Sequence, residues 1–175
     1  MIRSFNGKEP KIVRSAFVSE AAYVVGDVEI GERSSVWPGA VIRGDLGRIT
    51  IGKDSAVEDN AVIHSGSPAQ PVGDVVIGDR VIIGHGAVVN CRTIGNNVLI
   101  GMNATVLHDA EIGDNCVIGA GCVVGQGMKV PDNSFVVGVP GKIKASLSPQ
   151  QAWWTKEGIQ EYTHLVTQFR REGLG

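Results

Sequence analysis

The sequence predicts an all-β solenoid: a parallel β-helix of hexapeptide repeats closed by a C-terminal α-helix. Three observations predict it. Between Ile77 and Gly125 an aliphatic residue, usually followed by Gly, returns with a period of about six residues. So short a unit cannot bury an apolar face of its own, and it makes sense only as one side of a coil stacked on copies of itself. The 24 glycines follow that period, which marks them as corners rather than a flexible linker. Hydrophobic residues make up 43% of the chain but aromatics only 5%, so the interior must be built from Val, Ile and Ala. Three units make one turn of a triangular coil. The aliphatic residues then point inward, and Gly or Asn takes the corners, where positive φ or tight packing is required.

Taken in order, residues 1–11 read as a polar lead-in. Successive coils follow at Ile12, Val18, Val24; Ile30, Val36, Ile42; Ile51, Val57, Ile63; Ile77, Ile83, Val89; Ile94, Ile100, Val106; and Ile112, Ile118, Val124. A partial coil starts at Val130. Two spacings are longer than the period. Ile42 to Ile51 carries three extra residues, expected as a small loop at Gly44–Arg48. Ile63 to Ile77 carries eight, and the Pro/Gly/Ser content of His64–Asp74 predicts a surface excursion. Beyond Val139-Pro140-Gly141 the pattern changes. Ser148 is placed as an N-cap, with Pro149 at N1 and Gln151 at N3. Ala152, Ile159, Tyr162, Leu165, Val166 and Phe169 then recur at helical spacing up to Gly173. The β-helix domain is therefore drawn over 1–146 and the packing helix over 147–173. Trp153 and Trp154 are adjacent and cannot share a helix face, so one is expected to pack and the other to meet a neighbour.

The net charge of −2 gives no footprint for nucleic acid or an anionic membrane. No apolar run has the length of a membrane span, and the N-terminal residues lack a signal-peptide core. Cys91, Cys116 and Cys122 lie inside the repeat, at spacings unlike a zinc knuckle. They are expected as small buried thiols of a cytoplasmic protein.

Register turns spacing into proximity, because equivalent positions of stacked coils lie about 4.8 Å apart. The position after the third aliphatic residue of each coil holds Arg43, His64 and Asn90 in consecutive coils. The position two after the second aliphatic residue holds Asp59 and then His85, with Glu58 just before Asp59. These columns occupy different parts of the triangle. Within one chain His64 and His85 are thus expected to be too far apart to share a ligand, and a threefold assembly would bring one chain's His64/Asn90 column against the next chain's His85.

The stretches SVWPGAVIRGD (35–45), IGKDSAVEDNAVIH (51–64), IGHGAVVNC (83–91) and IGMNATVL (100–107), with VVGVPGK (136–142), resemble the γ-class carbonic anhydrase family in its broader hexapeptide-repeat branch. The resemblance implies a left-handed β-helix that assembles as a homotrimer, with a divalent metal at each subunit interface, zinc most commonly and iron or cobalt in some relatives. It implies reversible hydration of CO2 to bicarbonate. It makes His64 and His85 metal ligands from neighbouring subunits. Arg43 becomes the arginine paired with a carboxylate, Asp45 or Asp59, and Tyr162 the tyrosine that the C-terminal helix brings near the site. The chain departs from the family where the third ligand, a histidine, is replaced by Asn90, a neutral and weaker donor for a borderline metal. Glu58 stands where the family has Gln, and is expected to take up a proton or reach the metal through water. The loop 64–74 lacks the acidic character of the best-studied active type. His108, next to the Asn90 column, is expected as a solvent-facing turn residue, with replacement of the missing ligand as the alternative. Two other readings stay open: a non-catalytic trimeric scaffold that has lost its metal, and an acyl-CoA-dependent acyltransferase or thioesterase, since many such enzymes share the bare hexapeptide.

Overall fold

The computed structural model describes residues 1–66 and 73–174. Short parallel strands, most of two residues, stack as a solenoid of about seven turns, followed by a helical C-terminus. The aliphatic triplets pair in the predicted register. On one face Ile30, Ile51, Ile77, Ile94 and Ile112 succeed one another. On the second, Val36, Val57, Ile83, Ile100 and Ile118 do so. On the third come Val24, Ile42, Ile63, Val89, Val106 and Val124. All of these side chains are buried in one continuous core with Cys91, Cys116 and Cys122. Asn97, Asn115 and Asn133 stack at one corner with φ of 55°, 54° and 60°, the left-handed conformation that asparagine tolerates. One position earlier in successive coils, Asp79 (before Arg80, φ 55°), Asn96, Asp114 and Asp132 each accept the backbone N–H of the coil below, over 2.6–2.9 Å.

The coil lengthened by three residues is not looped out. Gly44–Arg48 belongs to one strand, Val41–Ile51, which bends round a corner beside Tyr23–Ile30 and makes two faces of the prism a single sheet. Pairing skips from Gly26–Gly44 to Val28–Ile49, so Asp45, Leu46, Gly47 and Arg48 bulge opposite Asp27. The strand can continue because Gly26 and Gly44 stack without side chains; a Cβ on Gly26 would collide with the Gly44 carbonyl. The lead-in is likewise more ordered than its polarity suggested, since Ile2–Arg3 pairs in parallel with Val24–Val25. At the other end Lys142–Ser146 turns back antiparallel on Ser134–Val137, a strand the repeat did not announce. Of the excursion His64–Asp74, residues 67–72 lie outside the described residues; at its ends the Gly66 N–H donates to the Gly73 carbonyl (2.7 Å).

The predicted helix forms as α1 (Pro149–Lys156) and α2 (Gly158–Arg171), separated at Glu157. Ser148 caps α1 as expected: its hydroxyl accepts the Gln151 N–H, and the Gln151 side chain accepts the Ser148 N–H. Ile159 and Val166 of α2 are buried against the prism; full burial of such a side chain stabilises by about 1.5–3 kcal/mol. Phe169 meets Trp37 edge-on at 5.1 Å, and Trp37 meets Phe17 at 5.3 Å. Leu165, assigned to the apolar stripe, faces solvent instead. Trp153 and Trp154 are equally exposed, because they stack on each other edge to face (4.9 Å) rather than dividing between core and surface. Among the described residues no helix is long and apolar enough to cross a membrane.

Candidate functional site

The first column assembles as the register requires. Arg43 pairs with His64, and Asn90 follows on the next coil, its Nδ2 3.4 Å from His64 Nδ1. The bulge adds a member that spacing alone left ambiguous. Asp45 Oδ1 lies 3.0 Å from His64 Nε2, and its Oδ2 lies 2.5 Å from Arg43 Nη1. Asp45 is thus the partner of Arg43, and Asp59 is not. An ionised carboxylate can only accept, so a proton sits on His64 Nε2, and in the neutral imidazole the Nδ1 lone pair faces Asn90. Burial alone would raise the Asp45 pKa, but the hydrogen bonds from His64 and Arg43 outweigh it and hold the carboxyl below its ordinary value.

The second column lies at another corner. Glu58 follows Val57 on the second face; Asp59 and Asn60, the latter at φ 59°, make the turn. One coil on, the His85 ring is held by two carboxylates: Nε2 lies 3.1 Å from Glu58 Oε2, and Nδ1 lies 3.0 Å from Asp59 Oδ2. Glu58 Oε2 also accepts the His85 backbone N–H at 2.8 Å. Its other oxygen accepts the hydroxyl of Tyr162, which α2 carries across the face. The Glu58 carboxylate, 3% exposed, is therefore saturated by hydrogen bonds. Desolvation, together with the hydrogen bond to Glu58 and its charge, pushes the Tyr162 pKa far above that of a free phenol. Beyond Tyr162 an apolar groove of about 290 Å³ opens, walled by Ile82, Leu99, Met102, Val117 and Trp154.

Among the described residues of one chain, no three His, Cys, Asp or Glu side chains converge as a metal cluster would. The donor types nonetheless fit a metal shared between two copies. His64 is oriented through one nitrogen by a carboxylate, as metal-bound imidazoles commonly are, whereas His85 has a carboxylate at each nitrogen and would exchange one of them for the metal. His64 keeps its other nitrogen towards a neutral amide, and His85, 46% exposed, can reach outward. His108 is half-buried at the corner of the His64/Asn90 column, one coil on from Asn90, where its carbonyl accepts the Gly127 N–H (2.9 Å). The sequence reading assigned no role to Ser65, whose hydroxyl binds the bulge; a serine in a column that asks only for a small residue was the available signal.

A family model described as "Bacterial transferase hexapeptide (six repeats)" matches residues 93–126. A "Probable carbonic anhydrase" of Methanocaldococcus jannaschii is 46% identical over 154 residues, covering 88% of this chain and 94% of that protein. "Gamma carbonic anhydrase 2, mitochondrial" of Arabidopsis thaliana is 31% identical over 91% of this chain, which spans 58% of the longer plant protein. A hexapeptide transferase family protein from Anaplasma phagocytophilum superposes with a TM-score of 0.89 at 30% identity, covering 96% of this chain and 97% of that one. With a relative this similar along nearly the whole of both chains, and with the register just described, the chain belongs to the γ-carbonic-anhydrase family of hexapeptide-repeat proteins.

Proposed function

We propose that the chain assembles as a homotrimer, holds a divalent metal between subunits, and interconverts CO2 and bicarbonate. The observation that carries this reading is the pair of carboxylate-oriented imidazoles, His64 and His85, in a chain so similar to a protein named as a probable carbonic anhydrase. Zinc suits imidazole donors best, with iron or cobalt as alternatives. His64 and Asn90 of one copy and His85 of another would hold it. A partly exposed, largely apolar column (Tyr23, Val41, Val62, Val88, Thr105, Val123) runs beside His64 and supports contact between copies.

When bound, such a metal acts as a Lewis acid that makes water ionise near neutral pH. The chain's own residues supply the rest. Asp45 fixes the tautomer and tilt of His64, and Arg43 neutralises Asp45 so that it stays a carboxylate. Turning the His85 ring to a metal would free Glu58 Oε2 of its ring contact, and Glu58, held by Tyr162, is then the acceptor placed to take a proton and pass it to the exposed Asp59. Asn90, a neutral donor, makes the affinity lower than a third imidazole would. We place the protein in the cytoplasm, where its three free thiols persist.

The test is metal content per chain in untagged protein purified anaerobically without chelator, followed by CO2 hydration. About one equivalent of zinc, iron or cobalt, with turnover, supports the reading. An intact trimer without metal overturns it in favour of a scaffold. The apolar groove beside Tyr162 favours one further reading, an acyl-CoA-dependent acyltransferase or thioesterase. Saturable binding of acetyl-CoA in the micromolar range would support that alternative, and its absence would remove it.

A further inference from the structure

Asp45 orients His64, yet it stands on weakly supported backbone. The four residues Asp45–Arg48 oppose Asp27 alone, so this bulge has no regular ladder to hold it. The Arg48 N–H finds an acceptor in Asp74 Oδ1 at 2.9 Å, on an exposed rim. Gly47 is held by one side chain. Its N–H donates to Ser65 Oγ (3.1 Å), and its carbonyl accepts from the same hydroxyl (2.6 Å). Ser65 is fully buried and follows His64 in the chain, and its own N–H donates to the Arg43 carbonyl (3.3 Å). One residue thus ties together the strand bearing Arg43, the strand bearing His64 and the bulge bearing Asp45. Packing does not explain the hydroxyl. The same column holds Gly26, Gly44 and Cys91, so the stack asks only for a small side chain.

We infer that Ser65 is a positioning residue. Its hydroxyl closes the bulge, so that the Asp45 carboxylate reaches His64 Nε2 and Arg43 Nη1 together. Without it, both peptide groups of Gly47 lose their partner, the bulge relaxes towards solvent, and Asp45 leaves the imidazole. The importance of this contact rests on the reading of His64 as the site imidazole. The contact itself is read without metal or turnover, so failure of the carbonic anhydrase reading would leave the measurement untouched.

The experiment is NMR on the intact assembly of wild type, Ser65→Ala, Ser65→Cys and, as comparator, Asp45→Asn. The wild type should show a downfield, slowly exchanging Nε2–H resonance from His64. That resonance should be lost in all three variants, and in the two Ser65 variants the Gly47 amide should exchange at least about tenfold faster. Ser65→Cys keeps the volume and gives up most of the donor strength, which separates positioning from packing. Retention of the His64 resonance in either Ser65 variant overturns the inference. So does a wild-type Gly47 amide that exchanges as fast as an unprotected one, a result that requires no variant to fold.

Discussion

Tyr162→Phe removes one oxygen from the contact between α2 and the solenoid and leaves the ring against Trp37, at 6.1 Å. The oxygen matters because of its partner. The Glu58 side chain is only 4% exposed, and it would keep the His85 backbone N–H and the adjacent His85 ring while losing the hydroxyl. A hydrogen bond to a charged acceptor contributes about 1.5–3 kcal/mol. Taking about 2 kcal/mol, a chain of this length should lose about 4–8 °C in Tm. Thermal unfolding followed by far-UV circular dichroism at neutral pH reads this directly. The pH dependence supplies a second, independent readout. The folded state keeps the Tyr162 proton that the unfolded state gives up near the free-phenol value of 10.0, because its pKa is raised. The contact therefore contributes in full below that pH and loses its contribution as pH rises above it. Tyr162→Phe has no such proton, so the gap between wild type and variant should narrow on the alkaline side. A variant within about 1 °C of wild type at neutral pH would refute the assignment of the hydroxyl to Glu58. A gap that stays constant through the alkaline limb would refute it as well.

Other outcomes follow from the same geometry. Asn90→His places a second imidazole beside His64 and should raise metal affinity by at least about tenfold, measured by competition with a chelating dye; no gain would show that the Arg43–His64–Asn90 column does not face the metal. Cys91, with its thiol pushed to about 12 by burial, and the buried Cys116 and Cys122 should all resist a disulfide reagent in the native protein and react only on unfolding; a natively titrating thiol would contradict the core assignment. Gly26→Ala must clash with the Gly44 carbonyl, whereas Gly121→Ala meets no atom and bears only the strain of φ 65°; the first should lower Tm well beyond the second, which costs about 1 kcal/mol. Equal effects of the two would mean that the bent strands do not stack as closely as described.

What the sequence disclosed follows from how a coil stacks. Where each turn repeats the last, counting residues is equivalent to measuring distance, and so Arg43, His64 and Asn90 fall in one column by count alone. The same count found the three extra residues after Ile42 but not their shape. A strand or a loop there depends on whether Gly26 and Gly44 can approach each other, which is a property of two coils at once. For the same reason Arg43 had two candidate carboxylates, and only the course of the bulge selects Asp45. Tyr162 was matched to the site by family likeness alone, since a helix shares no period with the coils and its residues carry no register against them. Ser65 escaped because its hydroxyl acts on a peptide group, and peptide groups leave no mark in a sequence. The strand Ile2–Arg3 is too short to show a period at all.

The antiparallel turn at Lys142–Ser146 has a consequence for the molecule's length as a physical object. A stack of parallel coils ends in open N–H and C=O groups at the last rung, and nothing in the rung itself forbids another copy from adding there end to end. Here the final rung of one face is met by a strand running the opposite way, whose outer edge presents the exposed Lys142 and Lys144. Reversed polarity spoils the match for an incoming parallel coil, and the lysines add charge and hydration at the seam. On that face a repeat that could template a fibre is thereby terminated within its own chain.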